Sequence, residues 1–283
     1  MTLPRLVVLE PFALDFFQRG LIGGALVAVL CGVVGTWVVI RGMAFLGEAL
    51  AHGMLPGVAV ATVLSLPVLA GGAISAVAMS IGIGVLQRRA RLSYDTSIGL
   101  LFVSMLAIGV IVISHSGSFA TDATAILFGD ILAIGRDDLV LLAVAAIAGL
   151  VVAALCHRSL VALALDARIA AVLGLRPRLA QAALVGLVTL AIVASYQAVG
   201  SMLVVGLLLA PAVAAGHWTS RIPSRMVLAS LLGVLAVAIG LLASWYAATA
   251  AGASVAAAAI LLAVVSGALR GALPRLRSRT RHV

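Results

Sequence analysis

The sequence predicts an all-α membrane protein that crosses the bilayer about nine times, and three observations predict it. Of the 283 residues, 64% are hydrophobic and 10% charged, and the mean hydropathy of +1.29 lies far outside the range of a soluble globular domain. The apolar residues fall in runs of roughly 17 to 25, the length a helix needs to span hydrocarbon. The charges sit at the ends of those runs, where lipid headgroups and water can solvate them.

Taken in order, the expected spans are 20–40, 43–65, 68–87, 96–115, 139–156, 180–197, 199–216, 226–246 and 252–270. Glycine and proline mark the links, as in "LSLP", "QAVGS" and "AGAS". Residues 1–19 read as an extracytoplasmic segment, 20–270 as one transmembrane domain and 271–283 as a cytoplasmic basic tail. Pro4, Glu10, Pro11 and Asp15 break the first apolar pieces before any small-residue cleavage site, so no signal peptide is expected. The stretch 118–138, "SFATDATAILFGDILAIGRDD", is too short and polar for a span and reads as an external hairpin or a re-entrant piece. If the spans alternate, only Arg5, Arg19 and Arg136 fall on one face, and all other arginines, from Arg41 to Arg281, fall on the other. The crowded face is expected to be cytoplasmic, which places the N-terminus outside and the C-terminus inside.

Composition also excludes functions. The 18 basic residues are all arginine, and a P-loop needs a lysine on its nucleotide phosphates, so the chain does not hydrolyse ATP by that route. Schiff-base chemistry is excluded with it. Cys31 and Cys156 lie in or beside apolar runs and suit small core residues, not a disulfide or thiolate site. A pI near 11.3 would fit a nucleic-acid partner, but arginines gathered at span ends are better explained by topology. No nucleic acid, resident cofactor or enzymatic activity is expected, since no acid, base and nucleophile converge in one motif.

Within "FLGEALAHGMLPG", Glu48 and His52 stand four residues apart, on one face of a helix. A rise of about 1.5 Å per residue from Arg41 carries them roughly 10 and 16 Å into the bilayer. Ionisable groups at that depth cost several kcal/mol unless they face a cavity or each other. Gly47, Gly53, Pro56 and Gly57 weaken the helix around them, as broken helices do where they line a transport site. The bland alternative is a hydrogen bond that ties two helices together. Imidazole and carboxylate suit zinc, manganese or ferrous iron, while calcium and magnesium prefer all-oxygen shells. Two ligands do not complete a site; a second copy of the chain would supply the other two at a twofold axis.

These residues carry a resemblance. "RGMAFLGEALAHGMLPGVAVA" resembles the signature of the ABC-3 family, the membrane subunits of bacterial zinc, manganese and iron ABC importers, and "ILFGDIL" and "SYQAVGSMLVVGLLLAPAVAA" resemble two further landmarks. The resemblance implies a multi-pass permease of the cell membrane with type II importer architecture. It further implies a homodimer served by a cytoplasmic ABC ATPase and an extracytoplasmic metal-binding protein. Metal transit then falls to Glu48 and His52, with Zn2+ the first expectation and Mn2+ or Fe2+ next. Many members have aspartate where this chain has Glu48, which opens the choice among metals.

In 163–178, "LALDARIAAVLGLRPR", Asp166 reads as an N-cap, 167–173 as a short helix, Gly174 as its stop and Pro177 as a bar to continuation. Taken alone this is an interfacial linker with arginines on lipid phosphates. The resemblance implies instead the coupling helix that docks on the ATPase, with Asp166, Gly174 and Arg176 carrying the coupling. His115, Asp122, Asp130, Asp137 and Asp138 near the external face, and His157 and His217 near cytoplasmic span ends, read as lesser candidates. Two other functions stay open: an ion-coupled carrier using the pair as a proton relay, told apart by ATP dependence, and a metal-chelate ABC permease, told apart by direct metal binding.

Overall fold

The computed structural model describes residues 10–90, 92–114, 129–166, 170, 172 and 174–279. A 3-10 turn, Glu10–Ala13, leads into α1 (Asp15–Ile40), α2 (Ala44–Gly53), α3 (Leu55–Val63), α4 (Val68–Arg89) and α5 (Tyr94–Ser114). Then follow α6 (Arg136–Leu155), α7 (His157–Leu165), α8 (Pro177–Gly216), α9 (Ile222–Ala247) and α10 (Ala251–Arg279), with no strand among the described residues. Eight stretches are long and apolar enough to cross a membrane, α2 and α3 counting as one, and Met202–Gly216 is a shorter apolar helix.

That shorter piece makes the ninth pass. As one rod, the 40 residues of α8 would reach about 60 Å, yet both ends lie at the same face. Near its start, Gln181 accepts a hydrogen bond from Arg41. Near its end, Ala212 and Ala215 share a buried cluster with Val39. The chain reverses at Gly200, whose φ of 73° and ψ of 162° belong to a region that a Cβ forbids. Gly129 packs against the Val199–Gly200 backbone at the turn. The expected break at "QAVGS" is therefore real, and the two expected spans 180–197 and 199–216 are the arms of a helical hairpin.

The other passes are fixed by who meets whom. α1 and α9 run antiparallel, with Gly24 against Val237, Gly32 against Ser230 and Gly233 against Ala28. Phe16 and Phe17 meet Trp245, 6.2 and 6.3 Å between ring centroids, at the face opposite Arg41. At the Arg41 face, Trp218 on the link after α8 donates to Ser266 of α10 at 2.6 Å. The two ends of the described chain therefore lie at opposite faces, as an odd number of passes requires. Ile134, just before α6, meets Gly23 near the start of α1, so the chain enters α6 from the face opposite Arg41. Of the stretch 118–138, residues 118–128 lie outside the described residues.

Three boundaries differ from expectation. α1 begins at Asp15, inside the expected N-terminal segment, because a carboxylate in the first turn favours the helix start. α10 continues to Arg279, into the expected tail. The expected span 43–65 is two helices, since Pro56 has no N–H for the carbonyl of His52 four residues earlier. Pro177 does not merely end the preceding segment; it opens α8 at a first-turn position where its missing N–H costs nothing.

The core follows the pattern of membrane bundles, in which small residues let backbones approach and large apolar side chains point outward. α1 is 67% buried over its apolar window, while α5 is 17% buried. Ile74, Ile81, Val103, Ile147, Leu231 and Val264 are exposed on the outer helices.

Candidate functional site

α2 is short because of its flanks. Gly42 at φ 65° turns the chain out of α1, and the missing Pro56 donor ends α2 near Gly53. Its buried face, Leu46, Gly47, Ala49, Leu50, Ala51 and Gly53, packs inward. Phe45, Glu48 and His52 form the opposite stripe, at spacings of three and four that share one helix face.

Glu48 and His52 meet as expected. His52 Nε2 lies 2.9 Å from Glu48 Oε1, with the side chains 19% and 34% exposed respectively. Tetrahedral ligands about 2.1 Å from a metal sit about 3.4 Å apart, so a small opening of this contact admits an ion between them. Phe102 of α5 stands edge-on to the His52 ring at 5.7 Å and to Phe45 at 5.4 Å. The aromatic contacts hold the imidazole on one side. Neither phenylalanine stood out in the sequence, where an aromatic in an apolar span has no distinguishing signal. Among the described residues no group of three or more His, Cys, Asp or Glu could hold a metal. Glu48 and His52 are the two such groups that α2 brings together.

Of the segment 163–178 the two flanks are described, and Asp166 closes α7. Asp166 is extended (φ −163°, ψ 138°), and its carbonyl accepts from Ala170 N at 3.1 Å. Gly174 has φ 71°, and Leu175 N reaches back to the Ala170 carbonyl at 3.0 Å, the hydrogen bond of a Schellman stop. Arg176 and Gly174 line a cavity of about 290 Å³ together with Cys156, Ser159, Leu179 and Ala180. Residues 167–169, 171 and 173 lie outside the described residues, while Val172 is 88% exposed.

Of the lesser candidates, Asp130 and Asp138 are engaged locally. Asp130 accepts from Leu132 N, Asp138 caps α6 by accepting from Gly135 N at 3.0 Å, and Asp137 sits in the first turn of α6. His157 stacks edge-on to Trp37 at 5.5 Å, and His217 lies against Gly267. His115 and Asp122 fall outside the described residues. Cys31 and Cys156 are both free thiols, Cys31 buried.

Comparison with known proteins extends the geometry. The chain is 34% identical over 248 residues, 88% of each chain, to the manganese transport system membrane protein MntC of Listeria monocytogenes. It is 31% identical over 242 residues, 85% of this chain and 80% of the other, to the chelated iron transport system membrane protein YfeD of Yersinia pestis. The fold superposes on PsaBC from Streptococcus pneumoniae, solved in complex with a Fab, with a TM-score of 0.79 at 30% identity over 89% of this chain and 91% of that one. A multi-pass bundle with an ionisable pair on a broken helix and these relatives leads to one assignment: the chain, matched over residues 13–270, belongs to the ABC 3 transport family.

Proposed function

We propose that two copies of this permease form a shared pathway in which Glu48 and His52 of each protomer hold a divalent first-row transition metal in transit. The stripe Phe45, Glu48 and His52 carries this reading. It is the unburied face of α2, and a partly exposed carboxylate at membrane depth is costly unless something polar covers it. A twofold partner covers it and doubles two ligands to four. Family membership supports a separate ATPase and an extracytoplasmic binding protein, and the absence of lysine agrees with an ATPase on another chain.

The donor set of two carboxylates and two imidazoles serves manganese, iron and zinc alike. Manganese is the first choice and iron the second, because those metals stand in the names of the relatives; zinc, expected first from sequence, comes third. The arginine-rich face is cytoplasmic, and the capped turn of Asp166, Gly174 and Arg176 docks on the ATPase there. Cysteine labelling at Thr2 and Ser278 from opposite sides checks the orientation. Substitution of Asp166, Gly174 or Arg176 is expected to separate ATP hydrolysis from transport while metal binding persists.

The test is uptake of Mn2+, Fe2+ and Zn2+ into vesicles holding the permease with its ATPase, with and without ATP. Glu48→Ala combined with His52→Ala should insert and dimerise but not transport. Wild-type uptake by that variant would sink the site, and uptake that runs on a proton gradient without ATP would replace the importer with a carrier.

A further inference from the structure

We propose that Arg41 is a positioning residue that links the docking segment to the metal-bearing helix. The proposal rests on the reading above, in which 163–178 docks on the ATPase and α2 carries the metal pair.

One guanidinium closes both ends of the docking segment. Arg41 Nη1 donates to the carbonyl of Leu163, in the last turn of α7, at 2.6 Å. Arg41 Nη2 donates to Gln181 Oε1, in the opening turns of α8, at 3.3 Å. Gln181 passes the contact on, since its Nε2 donates to Met43 Sδ at 3.8 Å. Met43 is the cap residue from which α2 starts, and the Tyr94 side chain of α5 sits beside Gln181 and Arg41. α5, α7 and α8, all remote in sequence, therefore meet the start of α2 at one half-buried arginine.

The local backbone suits a lever. Gly42, next to Arg41, holds φ 65°, and nothing lies within 4 Å of where its side chain would stand. Its role is conformational and not one of packing. α2 has 10 residues and is bounded by this turn on one side and by the Pro56 break on the other. A shift of Leu163 or Gln181 is thus handed to the base of a short helix, about 8 Å along the axis from Glu48. The third guanidinium donor, Nε, is buried without a hydrogen-bond partner, so the network is not saturated in this arrangement. Lysine cannot replace the planar fork that reaches Leu163 and Gln181 in two directions.

An arginine that only fixes topology would need neither partner. The experiment therefore compares Arg41→Ala, Arg41→Lys and Gln181→Ala with Arg89→Ala, which removes an exposed positive charge at the end of α4 on the same face. The permease is reconstituted with its ATPase, and two quantities are read: Mn2+ moved per ATP hydrolysed, and Mn2+ affinity without ATP. Arg41→Ala should lower the transport ratio by about tenfold, the size of an ordinary coupling free energy. Arg41→Lys should fall nearly as far, Gln181→Ala part of the way, and Arg89→Ala not at all, with metal affinity unchanged throughout. If Arg41→Ala fails to assemble, Gln181→Ala decides alone, since it keeps the arginine and breaks the link to Met43. A ratio for Gln181→Ala equal to that of Arg89→Ala overturns the proposal. The metal-site reading fails on a different result, undiminished uptake by the Glu48 and His52 double alanine variant.

Discussion

Two helical stretches of this protein are interrupted, one between α2 and α3 and one where α8 reverses, and the interruptions do different things. Between α2 and α3 the break comes from Pro56, and beside it the Gly53 carbonyl, at the end of α2, accepts from Ser75 Oγ at 2.7 Å. One turn earlier stand His52 and Glu48, on the face the bundle leaves unburied. At Gly200 the chain reverses altogether, and the neighbouring Ala198, Val199 and Leu203 are all buried. Glycine and proline breaks thus make a site only where ionisable groups occupy an uncovered face. Elsewhere the same chemistry makes a turn.

The largest effects should separate the two. Glu48→Ala and His52→Ala, singly, should each reduce metal uptake by about a hundredfold or more, since each removes two of the four ligands of the proposed twofold site. Glu48→Asp keeps the charge and should stay within about tenfold of the parent. Gly200→Ala should leave metal affinity of the folded protein intact, as titrated in detergent. A Gly200 variant that binds no metal while remaining folded would erase the distinction drawn above.

Next comes pH. Only neutral imidazole offers the lone pair that ligates, so protons and metal compete at His52. Affinity should fall as pH is lowered, by up to about tenfold per unit for each imidazole engaged where protons compete with the metal. His52→Asp should flatten that slope above the carboxylate range. An unchanged slope in His52→Asp would move the titrating group elsewhere.

Gly200→Ala is the third prediction, and its readout is stability. Forcing a Cβ into φ 73° and ψ 162° costs on the order of 1–3 kcal/mol. The Gly129 backbone lies close against the turn. Thermal unfolding in detergent should shift down accordingly, and an unshifted transition would mean that the hairpin opens without cost.

These contrasts also show what the sequence could reveal. The nine passes were legible because hydrocarbon thickness imposes one length on every span, and because Gly200 sits in a string of turn residues between two apolar runs. The Glu48 and His52 pair was legible because ionisable groups are rare at such depth. Arg41 was legible only as a boundary marker. Its partners Leu163 and Gln181 lie 122 and 140 residues away, and an arginine that sets topology looks the same in sequence as one that bridges two helices. Phe102 was hidden for the same reason, since nothing local distinguishes it from a lipid-facing aromatic until α5 is laid beside α2. The boundaries at Asp15 and Arg279 were missed because helices run past their apolar stretches into the headgroup zone.

The smallest expected effect tests the support behind the break. Ser75 is buried on α4, 8% exposed, and its hydroxyl is the donor that meets the Gly53 carbonyl. Ser75→Ala removes that donor without adding bulk, and leaves the carbonyl short of a partner in a place water reaches poorly. Such a loss costs about 1 kcal/mol, less than the strain expected at Gly200. Because Gly53 follows directly on His52, the change should also loosen the end of α2 and weaken metal affinity by a few-fold, while the transport ratio stays unchanged. Ser75→Thr keeps a hydroxyl and should recover the affinity if its extra methyl is accommodated beside Gly57, which approaches Ser75 closely. Parent-like affinity in Ser75→Ala would show that the break is held by Pro56 alone, and that the carbonyl of Gly53 plays no part in placing the imidazole.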